Sequence, residues 1–380
     1  MSKCYVSYHN TTSNLGTETT NVFENLKKGI SGIKLVNDPA RFYKSFYGAV
    51  LTEEDFPLSN VHYQNDHQFT RLEKMLIASL SKTIKASGIS LNSRVGLIIS
   101  STKGNIDILD PTSSFPKKRA YLSVMGKIIT DYFGFKNEAI IVSNACVSGL
   151  LAVAVAKRYL QEKQFDHVFI VAGDLVSNFV LSGFNAFQAL SATVCKPYDQ
   201  NREGINLGEV AVSALVTSST DHLSEDAVEI LGDASRNDAN HISGPSRNGE
   251  GVYRSVQAAL KEAHLTPEDI DYISAHGTAT KYNDDMEAQA FNRLGLGNVP
   301  LNSFKGYFGH TLGGSGLLET ILGMQSLHQN ILIATAGFEH LGVAPALNVI
   351  SESVEQKLDI FLKTASGFGG CNAAIIFKKI

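Results

Sequence analysis

A layered α/β fold is what this sequence predicts, and three observations carry that expectation. Short β-branched runs alternate with segments of helical periodicity through both halves of the chain. The helical segment around Leu151–Ala156 has no polar face, since five of its six residues are Ala or Val and the sixth is Leu; such a helix belongs in a protein interior. The progression strand, small-residue turn, reactive side chain, helix occurs twice, over Ala139–Leu160 about Cys146 and over Pro300–His328 about His310. Two halves of like topology, meeting so that these turns face each other, would bring Cys146 and His310 together.

In chain order, Cys4–Tyr8 reads as a strand, followed by a helix with Val22, Phe23 and Leu26 on its apolar face and Gly29 and Gly32 at its end. Thr70–Ala86 reads as a second helix, with Leu72, Met75, Leu76, Leu80 and Ile84 at helical spacing. Val95–Ser100 is a buried strand and Asp107–Arg119 a turn-rich loop. Ala139–Val142 is a short strand, and Val147–Leu160 follows as the buried helix. Its Lys157 and Arg158 come in the last turns, where cations suit the helix dipole. Val168–Ala172 and Val210–Val216 are further buried strands. Beyond the polar segment Ser218–Glu225 the pattern resumes. Strands at Val228–Leu231, Asp271–Ser274 and Val299–Asn302 alternate with helices at Gly251–His264, Asp285–Leu294 and Gly314–His328. Two strands close the chain, Leu358–Lys363 and Ala373–Lys378, joined by Ser366–Cys371.

Composition narrows the function. The 380 residues include 33 basic and 37 acidic side chains, a net charge of -4, so nothing marks a nucleic-acid binder. No apolar run approaches the roughly 20 residues that cross a bilayer as a helix, and the first residues lack signal-peptide character. Cys4, Cys146, Cys195 and Cys371 show no CxxC spacing, which argues against a disulfide scaffold or a structural zinc site. The expected setting is cytoplasmic and reducing.

Cys146 stands between a strand and a buried helix, with small neighbours Ala145, Ser148 and Gly149. There the helix dipole is expected to lower its pKa, and free backbone N–H groups could hold an oxyanion. The competing reading is a buried structural cysteine. His276 and His310 each end an apparent strand among glycines and small residues, a loop position suited to function. His9, His62, His67, His222 and His340 have polar or irregular neighbours and read as ordinary. Lys305 would need a partner if buried, and Glu319 on the next helix is the candidate; a surface salt bridge is the alternative. Asp284, Asp285 and Glu287 suggest a capped helix start more simply than a metal site. Gly367-Phe368-Gly369-Gly370 reads either as a bulged hairpin or as a turn that aims a backbone N–H into the site, with Phe368 as a movable apolar gate.

Together these segments resemble the elongating β-ketoacyl-acyl carrier protein synthases, of the thiolase superfamily. The resemblance also takes in Gly29-Ile30-Ser31-Gly32-Ile33, Lys196-Pro197-Tyr198-Asp199 and Gly208-Glu209, and the spacing of Lys305, His310, Gly313, Gly316 and Glu319. It implies a thiolase-like fold of two pseudo-duplicated βαβαβαββ halves in five αβαβα layers. Residues 1–222 would carry the nucleophilic cysteine and 223–380 both histidines. It implies a decarboxylative Claisen condensation in fatty acid or polyketide (including polyene) biosynthesis, with Cys146, His276, His310, Lys305 and Glu319 catalytic. The backbone N–H groups of Cys146 and Phe368 would form the oxyanion hole. Phe368, Gly367, Gly369, Thr278 and Thr280 would line the substrate gate and pocket, and Lys305 with Glu319 would order His310. No metal, nicotinamide or flavin is implied; substrates ride on the phosphopantetheine of an acyl carrier protein. That partner's acidic surface would dock on Lys117, Lys118, Arg119, Arg71 and Lys74. A homodimer is implied, with a heterodimer with a related subunit as the alternative.

The sequence departs from the family pattern at Ala279 and Asn283, where glycine is usual, at Cys371 (threonine) and at Ser366 (phenylalanine). Tyr8-His9-Asn10-Thr11-Thr12 also replaces a glycine-rich start. A non-catalytic chain-length-determining partner would usually lack the nucleophilic cysteine, which is present. A cysteine hydrolase built on Cys146, one histidine and Asn372 explains neither the second histidine nor Lys305 with Glu319. A thiolase would use a second cysteine where His310 stands.

Overall fold

The computed structural model describes residues 3–52, 69–221, 223–239 and 244–380; His62, His67 and His222 lie outside them. The first half of the chain runs β1 (Tyr5–Thr12), α1 (Thr19–Lys27), β2 (Lys34–Val36), β3 (Phe46–Ala49), α2 (Arg71–Ser87), β4 (Val95–Ser100), α3 (Leu122–Phe133), β5 (Ile140–Val142), α4 (Ser148–Gln161), β6 (His167–Asp174), α5 (Asn178–Ala186), β7 (Leu207–Gly208) and β8 (Val210–Thr217). The second runs β9 (Val228–Asn237), α6 (Glu250–Ala263), β10 (Tyr272–Ser274), α7 (Lys281–Arg293), β11 (Leu301–Asn302), α8 (Lys305–Phe308), α9 (Ser315–Gln329), β12 (Ile331–Leu332), β13 (Val354–Glu355), β14 (Ile360–Ser366) and β15 (Cys371–Lys379).

Local chemistry sets several of these bounds. Thr70 caps α2 through a reciprocal box with Glu73, and Gly88 ends it in the left-handed region at φ 66°, a conformation glycine adopts without a Cβ penalty. The short helices α3 and α5 fall where the sequence pattern predicted no element.

Ten strands join in the order β11-β10-β14-β15-β9-β1-β8-β6-β4-β5. From either outer edge inward, the pairings run parallel, parallel, antiparallel, antiparallel. The chain also visits matching positions in the same order in each half. At the seam β1 meets β9 through two residue pairs, Tyr5 with Glu229 and Val6 with Val228.

Helices α2 and α3 cover the outer face of the first half-sheet, and α6 and α7 that of the second. Between the half-sheets α4 and α9 pack on each other and share one apolar core with strands of both. As expected of α4, Ala152, Val153 and Ala156 are wholly buried. Lys157 is buried as well, paired with Asp233 at 3.0 Å and Glu262 at 2.7 Å, so it anchors α4 instead of merely suiting its dipole. Both inner helices open on Ser-Gly-Leu-Leu, at 148–151 and 315–318. A Cβ at Gly149 would stand 2.7 Å from the Leu317 nitrogen, and one at Gly316 would strike the Leu150 nitrogen. The helices therefore touch backbone to backbone at their first turns, which sets the loops preceding them side by side.

Candidate active site

The turn between β5 and α4 places Cys146. Ala145 sits at φ 44°, an uncommon conformation for a residue with a side chain. Ser148 holds the turn closed: its Oγ accepts from the Asn144 N–H at 2.7 Å and donates to the Ala145 carbonyl at 2.6 Å. The thiol is 8% exposed. Burial pushes it up to about 11, while the Lys305 charge and the Phe368 N–H pull the other way. This corrects the expectation of a thiol acidified by the helix end. Desolvation of the thiolate outweighs the nearby positive charge, so the resting group is the thiol.

His310 is fastened from both sides of its backbone to the first half: its N–H donates to the Asn206 carbonyl at 2.7 Å, and its carbonyl accepts from Gly208 at 3.0 Å. Its Nδ1 accepts from the Leu312 N–H at 3.3 Å, which leaves the ring proton on Nε2. That nitrogen is buried without a partner among the described residues. Burial above all, with Lys305 and Lys363 adding to it against Glu319, lowers the imidazole to about 3, so it is neutral with a donor in reserve. The His276 and His310 rings lie edge to face, 5.4 Å between centroids.

Lys305 donates to Glu319 Oε1 at 2.8 Å and to the His276 carbonyl, and approaches His276 Nδ1 at 3.3 Å. An ammonium beside Nδ1 makes that nitrogen the acceptor and puts the proton on Nε2. The pair Lys305–Glu319 thus contacts His276, not His310 as expected; Leu312 fixes the latter. Burial alone would raise Glu319, but the ammonium groups of Lys305 and Lys363 hold it at about 2.

Two further carboxylates, taken from the sequence as a helix start, hold the His276 loop. Glu287 accepts from the His276 and Gly277 N–H groups at 2.9 and 2.7 Å, and Asp284 accepts from Thr278 at 3.0 Å. Asp174, at the end of β6, accepts from Ser101, Thr102, Lys103 and Gly313, tying the loop after β4 to the loop after His310. Pattern reading did not single out Asp174 or Lys363. For Asp174 the available signal was a charged residue at the end of an otherwise apolar strand, and for Lys363 a charge inside a strand.

Cys146, His276 and His310 line one cavity of about 380 Å³, together with Thr278, Thr280, Gly367 and Phe368. Phe184 and Phe187, also in its wall, lie 5.7 and 5.4 Å from Phe368, ring to ring; both sit on or just after α5, which sequence reading missed. Gly369 is exposed and outside the wall. At φ 84° it serves to turn the chain, which corrects its place among the pocket residues. The basic set divides. Lys117 and Lys118 are exposed and Lys74 is half-buried. Arg119 pairs with Glu73, and Arg71 with Glu209 at 3.0 Å, both wholly buried carboxylates. Those two arginines serve the interior, which removes them from the docking set. Among the described residues no three His, Cys, Asp or Glu side chains cluster as metal ligands, and no helix is long and apolar enough to cross a membrane.

Comparison with known proteins agrees with this geometry. Residues 11–222 match the β-ketoacyl synthase N-terminal domain and residues 227–339 its C-terminal domain. The 3-oxoacyl-[acyl-carrier-protein] synthase 2 of Coxiella burnetii is 27% identical, with 97% of this chain and 96% of that one aligned. The granaticin polyketide putative β-ketoacyl synthase 1 of Streptomyces violaceoruber is 31% identical over 77% of this chain and 73% of its own. Among solved structures, the ishigamide ketosynthase/chain length factor superposes with a TM-score of 0.90 at 24% identity, covering 100% of this chain and 99% of that one. The fold is thus thiolase-like, and the chain belongs to the β-ketoacyl synthase family.

Proposed function

We propose that this β-ketoacyl synthase condenses malonyl carrier protein with an acyl chain held on Cys146. The single observation behind the assignment is one cavity that holds a buried thiol and two histidines, one of them with an Nε2–H that has no partner among the described residues. In the first step the Cys146 sulfur attacks the acyl thioester of a carrier protein. The pantetheine sulfur leaves with the thiol's proton, as a resting thiol requires. In the second, the carboxylate–carbon bond of the malonyl group breaks, carbon dioxide departs, and the electron pair becomes an enolate. Donors already in place stabilise its oxygen best, and the Nε2–H groups of His276 and His310 take that role. The enolate carbon then attacks the acyl-Cys146 carbonyl, whose oxyanion rests on the N–H groups of Cys146 and Phe368. Collapse expels Cys146 as a thiolate, which takes a proton from water to regain the resting thiol, and releases the lengthened β-ketoacyl product.

Lys305 orients His276, Glu319 holds Lys305, and Phe368, Gly367, Thr278 and Thr280 shape the entrance. No further cofactor enters this scheme. Carrier protein docks on Lys117 and Lys118, with Lys74 nearby. The edge of β5, one of the two outermost strands and open among the described residues, supports a dimer built by strand pairing across a two-fold axis. The ishigamide pair supports a related subunit as the alternative partner. Cys4, Cys146, Cys195 and Cys371 are not joined in disulfides, which suits a cytoplasmic setting. The division of the halves at 222/223 is supported by its place between β8 and β9. A non-catalytic chain-length role is disfavoured, because the thiol, both imidazoles and Lys305 are all in position.

Incubation with acyl carrier protein followed by intact-mass measurement tests the nucleophile. A mass gain of one acyl group, absent in Cys146→Ala, is expected; no adduct, or an adduct that persists in the variant, rejects it. Cys146→Gln is expected to keep decarboxylating malonyl carrier protein while losing condensation.

A further inference from the structure

Lys363 takes no part in the chemistry above, yet it is among the most deeply buried charges in the molecule, with no exposed surface. It lies on β14 opposite Ser274 of β10. Its Nζ reaches past the end of β10 to the carbonyls of Ser274 and Ala275, at 3.1 and 3.3 Å, and to that of Thr364 at 2.6 Å. Ser274 and Ala275 are the two residues before His276. The same nitrogen is 2.6 Å from Glu319 Oε2. Glu319 Oε1 already accepts from Lys305 and from Ser315, each at 2.8 Å. One ammonium therefore bridges the strand end that presents His276 and the helix that follows His310.

A buried cation needs full compensation, and here the compensation is shared unevenly. Lys305 of α8 and Lys363 of β14 face a single carboxylate, Glu319 of α9; Glu287 of α7 adds negative charge, the His310 imidazole feels both ammonium groups, and His276 Nδ1 lies 3.3 Å from Lys305. We infer that Lys363 is a positioning residue for malonyl decarboxylation, holding Glu319 and the carbonyls before His276 so that the two imidazoles keep a fixed separation. The inference rests on the proposed reaction. Lys363 also adds to the positive field that keeps His310 unprotonated.

The test uses the full chain with Lys363→Met and Lys363→Gln, each checked for folding by circular dichroism and thermal unfolding. Cys146 acylation and malonyl carrier protein decarboxylation are then measured from about pH 4 to 9. The parent and both folded variants are expected to form the acyl adduct. Decarboxylation kcat should fall about tenfold or more with KM nearly unchanged. The acid limb of the rate should move to higher pH, because loss of a nearby cation makes the His310 imidazole easier to protonate. Lys363→Arg restores the charge and should return that limb toward the parent's. A parent that forms no adduct sinks the reaction reading itself. A normal adduct with a parent-like decarboxylation rate and pH profile in the variants overturns the role of Lys363 alone. So does unfolding of both neutral variants, which would make the residue purely structural.

Discussion

The contact between Gly149 and the start of α9 offers a severe test of how the fold makes the site. In Gly149→Ala the new methyl would stand 2.7 Å from the Leu317 nitrogen and 2.8 Å from the Gly313 carbonyl. Both are backbone atoms, which cannot swing aside as a flexible side chain would. Ordinary contact begins near 3.4 Å, so the two helix starts must part by about 0.7 Å, with an overpacking cost of about 1–3 kcal/mol. Cys146 rides on one of those starts and His310 on the loop before the other. A displacement approaching 1 Å between reacting groups costs on the order of 100-fold in rate. Urea unfolding should report the first effect. Single-turnover condensation from a preformed acyl-Cys146 should report the second, with acylation itself changed far less because it does not need His310. If Gly149→Ala keeps both stability and condensation rate, the claim that this crossing sets the thiol–imidazole geometry is wrong.

Other perturbations follow from the same contacts. His310 is held to about 3 and Glu319 to about 2, so below neutral pH the unfolded chain binds protons that the folded one refuses. Stability should therefore fall as pH drops through 6.5 toward 3 for His310, and through 4.5 toward 2 for Glu319, by up to about 1.4 kcal/mol per pH unit per group; urea midpoints in His310→Phe should show a shallower slope above about pH 5, and an unchanged slope would refute the burial argument. Asp174→Asn should destabilise by about 3 kcal/mol in chemical denaturation, since an amide NH2 would face donors that now meet carboxylate oxygens; a loss within about 0.5 kcal/mol would contradict that role. Phe368→Ala keeps its N–H but loses its ring contacts with Phe184 and Phe187, so discrimination among acyl lengths in a competition assay should weaken, and undiminished selectivity would argue against a gate. Reversing charge in Lys117→Glu/Lys118→Glu should raise KM for carrier protein severalfold, with the effect shrinking at high salt; a salt-independent result would place docking elsewhere.

Periodicity made the main-sheet strands and the buried inner helices legible, because full burial leaves runs with no polar face. It was blind to α3 and α5, whose mix of exposed aromatic and small polar residues resembles a loop. The repeated Ser-Gly-Leu-Leu opening was printed in the sequence, but its meaning is a backbone contact between residues 167 positions apart. The candidate site was legible where a residue type carries its own chemistry: Cys146, His276 and His310 line one cavity. It was not legible where chemistry depends on surroundings. Cys146 was expected to be acidic, and burial reverses that. Lys305 was assigned to His310, and distance gives it to His276. Arg71 and Arg119 read as surface charge until buried Glu209 and Glu73 showed where they point.

By chain order His310 belongs with the second half, but its backbone bonds run to Asn206 and Gly208 of the first. In any slow shear of one half against the other, that imidazole would travel with Cys146. His276 hangs from β10, which pairs with β11 and β14, and would move with the opposite half. Relative motion would thus leave one donor in step with the nucleophile and detune the other. In the proposed reaction, the hydrogen bond from His276 to the enolate is where such motion would be felt.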